Sequence, residues 1–133
     1  MTPEDLATVA RSWSALRRGR AALLAALTAH YDADVVDGWS DADRRAEWLL
    51  DAIDQLVPVL AAPSRLADAA LAVGSTWPDP LSAPSFRVDG RAWMAAAGQC
   101  LPTWSDRTAR AWRHAWLLLS DVLAAETLSP FGN

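Results

Sequence analysis

An all-α bundle of about six helices is the fold class this sequence predicts, on three observations. Apolar residues recur three and four positions apart in segment after segment, which places them on one face of a helix. No segment carries a convincing alternate-residue pattern of the kind that marks a half-buried strand. Breakers punctuate the chain about one helix apart, at Gly19, Gly38, Pro58, Gly74, Pro78 and Pro80.

The first helix opens at Thr2, whose hydroxyl suits a cap. Pro3 fits the first helical position, and Glu4 and Asp5 suit the positive end. Leu6, Val9, Trp13 and Leu16 then share a face, and the run RRGR (17–20) breaks the helix at Gly19. A second helix follows, with Leu23, Leu24, Leu27 and Tyr31 on one face. Residues 32–43, DADVVDGWSDAD, are rich in Asp and hold Gly38, so they read as a loop or short turn. The third helix runs from about Asp43 to Leu60. Trp48, Leu49, Ala52, Ile53, Leu56, Val57 and Leu60 form a wide stripe, which Pro58 kinks or ends. A fourth helix covers 64–74, started by Pro63 or Ser64 and stopped at Gly74. STWPDPLSAPS (75–85) is a Pro-rich corner. The fifth helix covers about Val88 to Leu101, with Trp93, Ala97, Cys100 and Leu101 inward. Ser105 caps the sixth, where Trp112, Trp116, Leu119 and Leu123 line one stripe.

A length of 133 residues suggests one domain spanning 1–133. Such a chain buries roughly two-thirds of its unfolded surface and needs no staples. The 52% hydrophobic and 21% charged fractions are those of ordinary soluble globular proteins. A net charge of −4 argues against nucleic acid and anionic membranes as partners. All twelve basic side chains are Arg and 28 residues are Ala, the composition of a GC-rich genome. With Cys100 alone no internal disulfide forms, which fits a reducing cytoplasm. No apolar run reaches the ~18 residues of a membrane span, and MTPEDLATVA is unlike a signal peptide.

Three stretches together resemble a globin of the bacterial single-domain kind. TPEDLATVARSWSAL (2–16) is similar to the opening globin helix, with Trp13 in the place of its common tryptophan. FRVDGRAWM (86–94) is similar to the start of the penultimate helix, where an aromatic precedes a Gly and a pair of large apolar residues. LPTWSDRTARAWRHAWLLLSDVL (101–123) is similar to the last turn, capping Ser and final helix. The resemblance implies a globin-like bundle over nearly the whole chain. It also implies a proximal histidine, the haem-iron ligand, on the fourth helix or the corner after it. Alignment on Gly74 and Phe86 puts Trp77 there instead, and indole has no lone pair to offer iron. No histidine lies between residues 31 and 113. The distal position falls near Arg45, and the tyrosine expected on the second helix maps near Leu27. Asp89 stands where an apolar residue faces the macrocycle, and Trp39 replaces the usual phenylalanine of the loop after the second helix. Departures clustered at one site imply a globin scaffold released from haem.

A globin without haem has a large apolar hole, which interiors do not tolerate. Trp77, Trp48 and Trp39 are best placed to shrink it. Together with Arg45, Leu27, Leu49, Phe86, Trp93 and Met94 they form the expected pocket lining. The function expected is binding of a small apolar or amphipathic molecule there, as sensor, carrier or accessory factor, with no cofactor. Two alternatives are a haem protein for oxygen or another diatomic gas through non-histidine ligation, and a cofactor-free enzyme or interaction module. No catalytic constellation and no Cys/His metal cluster is visible. His30 sits at a helix end, and His114 lies off the core stripe in solvent. Cys100 and Met94 are soft iron ligands or, at core spacing, packing residues. Arg44 and Arg45 form an anion site at the pocket mouth or pair in solvent with Asp41 and Asp43. The last two helices, with Trp104 and Trp116, are the expected contact of a homodimer.

Overall fold

Thr2 and Asp5 cap one another at the start of the chain. The Asp5 N–H donates to Thr2 Oγ1 at 3.0 Å and the Thr2 N–H to Asp5 Oδ2 at 3.2 Å. This box begins α1, Pro3–Arg18. The computed structural model describes residues 1–33, 42–76 and 83–127 and, within them, all side chains but those of 83–85 and 124–127. Gly19 separates α1 from α2, Arg20–Ala33. Then come α3, Ala42–Leu56, a 3-10 turn, Val57–Val59, and α4, Pro63–Ser75. The last two helices are α5, Ala83–Cys100, and α6, Asp106–Thr127. No strand occurs among the described residues.

Two boundaries differ from expectation. Pro58 ends α3 by tightening the chain into the 3-10 turn, so the helix stops at Leu56 rather than Leu60. The fifth helix starts at Ala83 rather than near Val88. Pro84 falls in its first turn, where the missing N–H has no intrahelical partner to lose.

Helix α6 packs against α1 and α4, and α2 packs against α3 and α5. The expected faces meet in one apolar cluster, with Val9, Trp13, Leu16, Leu23, Leu27, Leu49, Ile53, Trp93, Trp112 and Leu119 all buried. Three indoles occupy its middle. Trp93 lies 5.9 Å from Trp13 and 4.9 Å from Trp112 between ring centroids, both pairs tilted. Trp112 Nε1 donates to Ser12 Oγ at 2.8 Å, and Trp13 Nε1 to Asp54 Oδ1 at 3.2 Å. Trp93 Nε1 has no acceptor among the described residues, so its ring is held by packing alone.

Helices α1 and α6 are also joined by charge. His114 Nδ1 lies 3.0 Å from Asp5 Oδ2, and Arg107 Nη2 lies 2.9 Å from Glu4 Oε1. His114 is exposed, as its position off the stripe implies, yet it anchors α6 to the cap of α1. Hydrogen bonds from His114 and then from the Thr2 N–H hold the Asp5 carboxyl down at about 2. A depressed folded-state value means that these bonds stabilise the fold above the ordinary carboxylate value and are lost as pH falls through the depressed one. Asp5→Asn should therefore be less stable than the wild type near neutral pH. The gap should close as pH falls from 3.8 to about 2. Urea denaturation of both proteins along that pH series measures it; a gap that stays constant would contradict the assignment.

Candidate functional site

Arg45 on α3 and Asp89 on α5 are both completely buried. Arg45 Nε donates to Asp89 Oδ1 at 3.0 Å and Nη2 donates to Oδ2 at 2.7 Å, a two-pronged contact. The Tyr31 hydroxyl on α2 donates to the same Oδ1. Burial, followed by the Asp89 charge, pushes the Tyr31 hydroxyl far above its ordinary value. Burial opposes the Arg45 charge, but the bonds and charge of Asp89 outweigh it and hold the guanidinium above its ordinary value. Arg45 is thus neither an anion receptor at a pocket mouth nor a solvated partner of Asp43. Asp41 lies outside the described residues. Asp89 faces a guanidinium, where the resemblance placed it against a macrocycle. Local spacing misses this pair because its members lie 44 residues apart.

The resemblance places haem between the third and fourth helices. The gap between α3 and α4 measures about 260 Å³ and is lined by Trp48, Ala52, Val73 and Thr76, with Asp51 and Gln55. Trp48 Nε1 donates to Thr76 Oγ1 at 3.2 Å. Trp48 is half-buried rather than a core plug, because it lies about 100° around the helix from Leu49. Leu27, Leu49 and Trp93 are packed inside the closed core and line neither this gap nor the groove described below. Trp39 and Trp77 lie outside the described residues.

The described side chains weighed as iron ligands lie away from this gap. His30 Nε2 lies 3.1 Å from Gln99 Oε1, and His114 is bound to Asp5. The Tyr31 hydroxyl is held by Asp89, and the Cys100 thiol donates to the Ala22 carbonyl at 3.7 Å. Met94 lines a different cleft. His30, His114, Tyr31 and Cys100 are thus engaged away from the gap. Among the described residues no group of His, Cys, Asp or Glu could hold a metal ion.

The larger opening is a groove of about 790 Å³ between α5 and α6. Its apolar walls come from Met94, Ala95, Trp104, Trp116 and Leu117. Trp116 stacks on Phe86 at 4.9 Å between centroids and 17° between planes, and its Nε1 donates to the Phe86 carbonyl at 3.2 Å. Glycines let the indoles lie against α5. A Cβ on Gly90 would stand 2.8 Å from Trp116 Nε1, and one on Gly98 3.3 Å from Trp104 Nε1. Phe86 and Trp116 were expected in a pocket lining and a core stripe, respectively. Phe86 is buried beneath Trp116, which is half-buried and forms a groove wall. Met94, expected in the haem pocket or the core, also opens onto this groove. Leu117 is 66% exposed, the largest exposure among the big apolar side chains described. Arg87, Arg91 and Arg113 complete the lining, with Ser120. Sequence reading missed these residues. The four-residue spacing of Gly90, Met94 and Gly98, off the buried Trp93 face, is the signal that marks the groove floor.

No family model, no curated protein and no solved structure matches this chain.

The buried pair has a measurable signature. Asp89→Ala should cost about 3–5 kcal/mol, because it leaves a buried guanidinium without its carboxylate. Arg45→Met combined with Asp89→Leu should cost less than the two single changes added together. Equilibrium denaturation of the cycle checks this, and additive losses would show that the two side chains act independently.

Proposed function

We propose that this protein is a globin-like scaffold that works without haem and binds a small apolar or amphipathic molecule as sensor, carrier or accessory factor. Support for the scaffold comes from the order of the six helices, the buried Trp13 and the Ser105 cap, whose Oγ accepts the Thr108 N–H at 3.3 Å. Support for a haem-free state comes from His30, His114 and Cys100, which have polar partners away from the described lining of the α3–α4 gap. The site moves from that gap to the α5–α6 groove. One observation carries this: indoles, a thioether and an exposed leucine surround about 790 Å³, a volume in the range of small-molecule sites, whereas the gap offers about 260 Å³. Binding is favoured over catalysis because His30, His114 and Cys100 have polar partners outside the groove. A cytoplasmic location suits the lone thiol of Cys100. No described helix is long and apolar enough to cross a membrane.

Titration with the neutral dye N-phenyl-1-naphthylamine tests the site. The wild type should give a saturable fluorescence increase. Trp104→Ala should bind about tenfold more weakly, the effect of losing one aromatic wall. Trp48→Ala, at the other opening, should bind as the wild type does. No saturable signal from the wild type, or a loss confined to Trp48→Ala, would overturn the proposal.

A further inference from the structure

We infer that the occupant of the α5–α6 groove is a free amphipathic anion, an apolar chain or ring system that ends in one acidic head such as a carboxylate. The inference rests on the reading that this groove binds a small molecule, and it adds the charge of that molecule. Arg87 on α5 and Arg113 on α6 are exposed and line the groove from its two walls. Neither has a carboxylate partner among the described residues. Arg17, Arg20 and Arg107 meet Asp54, Asp51 and Glu4, whereas Arg87 and Arg113 share the unpaired state of Arg11, Arg18, Arg44, Arg65 and Arg110 among the described residues and differ from them in lining a groove with apolar walls. The chain carries sixteen acidic residues against twelve basic ones, yet no Asp or Glu among the described residues lines the groove. An acidic protein thus holds a locally basic cleft with apolar walls. Guanidinium groups beside indoles and a thioether complement a ligand with an acidic head and an apolar body.

The same charges argue against two other occupants. A two-fold contact between copies of this chain through α5 and α6 would set Arg87 and Arg113 of one copy against those of the next, with no acid among the described groove residues to separate them. That disfavours the homodimer expected through Trp104 and Trp116. An anionic membrane surface would meet a chain of net charge −4. A monomeric amphiphile needs only the cleft.

The test is displacement of N-phenyl-1-naphthylamine by decanoate, decanol and decyltrimethylammonium, each below its micelle-forming concentration and at low salt. Decanoate should displace the dye at about tenfold lower concentration than decanol, as expected for a partly exposed charge-assisted contact. The cation should be weakest. The double variant Arg87→Gln, Arg113→Gln should keep its helix content and lose most of the preference for decanoate over decanol. Equal displacement by all three compounds would overturn the inference and leave the groove reading standing. Absence of dye binding would overturn both. Doubling of mass on concentration, with release of the dye, would show a second copy in the groove. Co-sedimentation with phosphatidylglycerol vesicles would show a lipid surface. Either result would overturn the free amphiphile.

Discussion

A guanidinium and a carboxylate, both cut off from solvent, set the register of half of this bundle. Arg45 and Asp89 tie α3 to α5, and the Tyr31 hydroxyl ties α2 to the same carboxylate. Removing two charges from water costs several kcal/mol per ion, so such a pair persists only where its bonds are made with good geometry. The two parallel contacts and the phenol meet that condition. A shift of α3 or α5 by one turn would leave a buried charge unpaired, a far larger loss than a slip between apolar faces, and a shift of α2 would take the phenol from the carboxylate. The pair also consumes the side chain that stands at the distal position of the globin resemblance.

With that position closed, the indoles divide into two populations. Trp13, Trp93 and Trp112 pack into the centre, where each fills volume that shorter side chains would leave open. Trp104 and Trp116 lie over α5, on Gly90 and Gly98, and reach the surface. Trp116 is fixed there by its stack on Phe86 and its bond to the Phe86 carbonyl. Among the described residues the core is therefore packed with its own side chains, and Trp104, Trp116 and the exposed Leu117 line the groove between α5 and α6. A buried ion pair and a set of close glycine contacts thus lead to the same structural consequence, which is a cleft on the outside of the bundle.

The helices and their inward faces were legible in the sequence because each rests on local periodicity. Val9, Trp13 and Leu16 on α1, and Leu23, Leu27 and Tyr31 on α2, are buried as their spacing implies. The start of α5 was not legible, because Pro84 breaks a helix interior but is tolerated in a first turn. Trp48 and Trp116 were misplaced for another reason. In a chain that is 52% hydrophobic the apolar stripes are wide, and periodicity does not separate the centre of a stripe from its edge. The Arg45–Asp89 pair and the groove both depend on how different helices meet. No window along one helix contains that information. Arg45 therefore read as a surface charge, and Arg87 and Arg113 did not stand out.

The division between filled interior and open groove can be read directly from the indole N–H groups, each of which gives its own nitrogen–proton NMR signal. Decanoate added to uniformly nitrogen-labelled protein should shift the signals of Trp104 and Trp116 and leave those of Trp13, Trp93 and Trp112 in place. Shifts at Trp13, Trp93 and Trp112, with Trp104 and Trp116 unmoved, would mean that the ligand enters the core and that the interior is not closed.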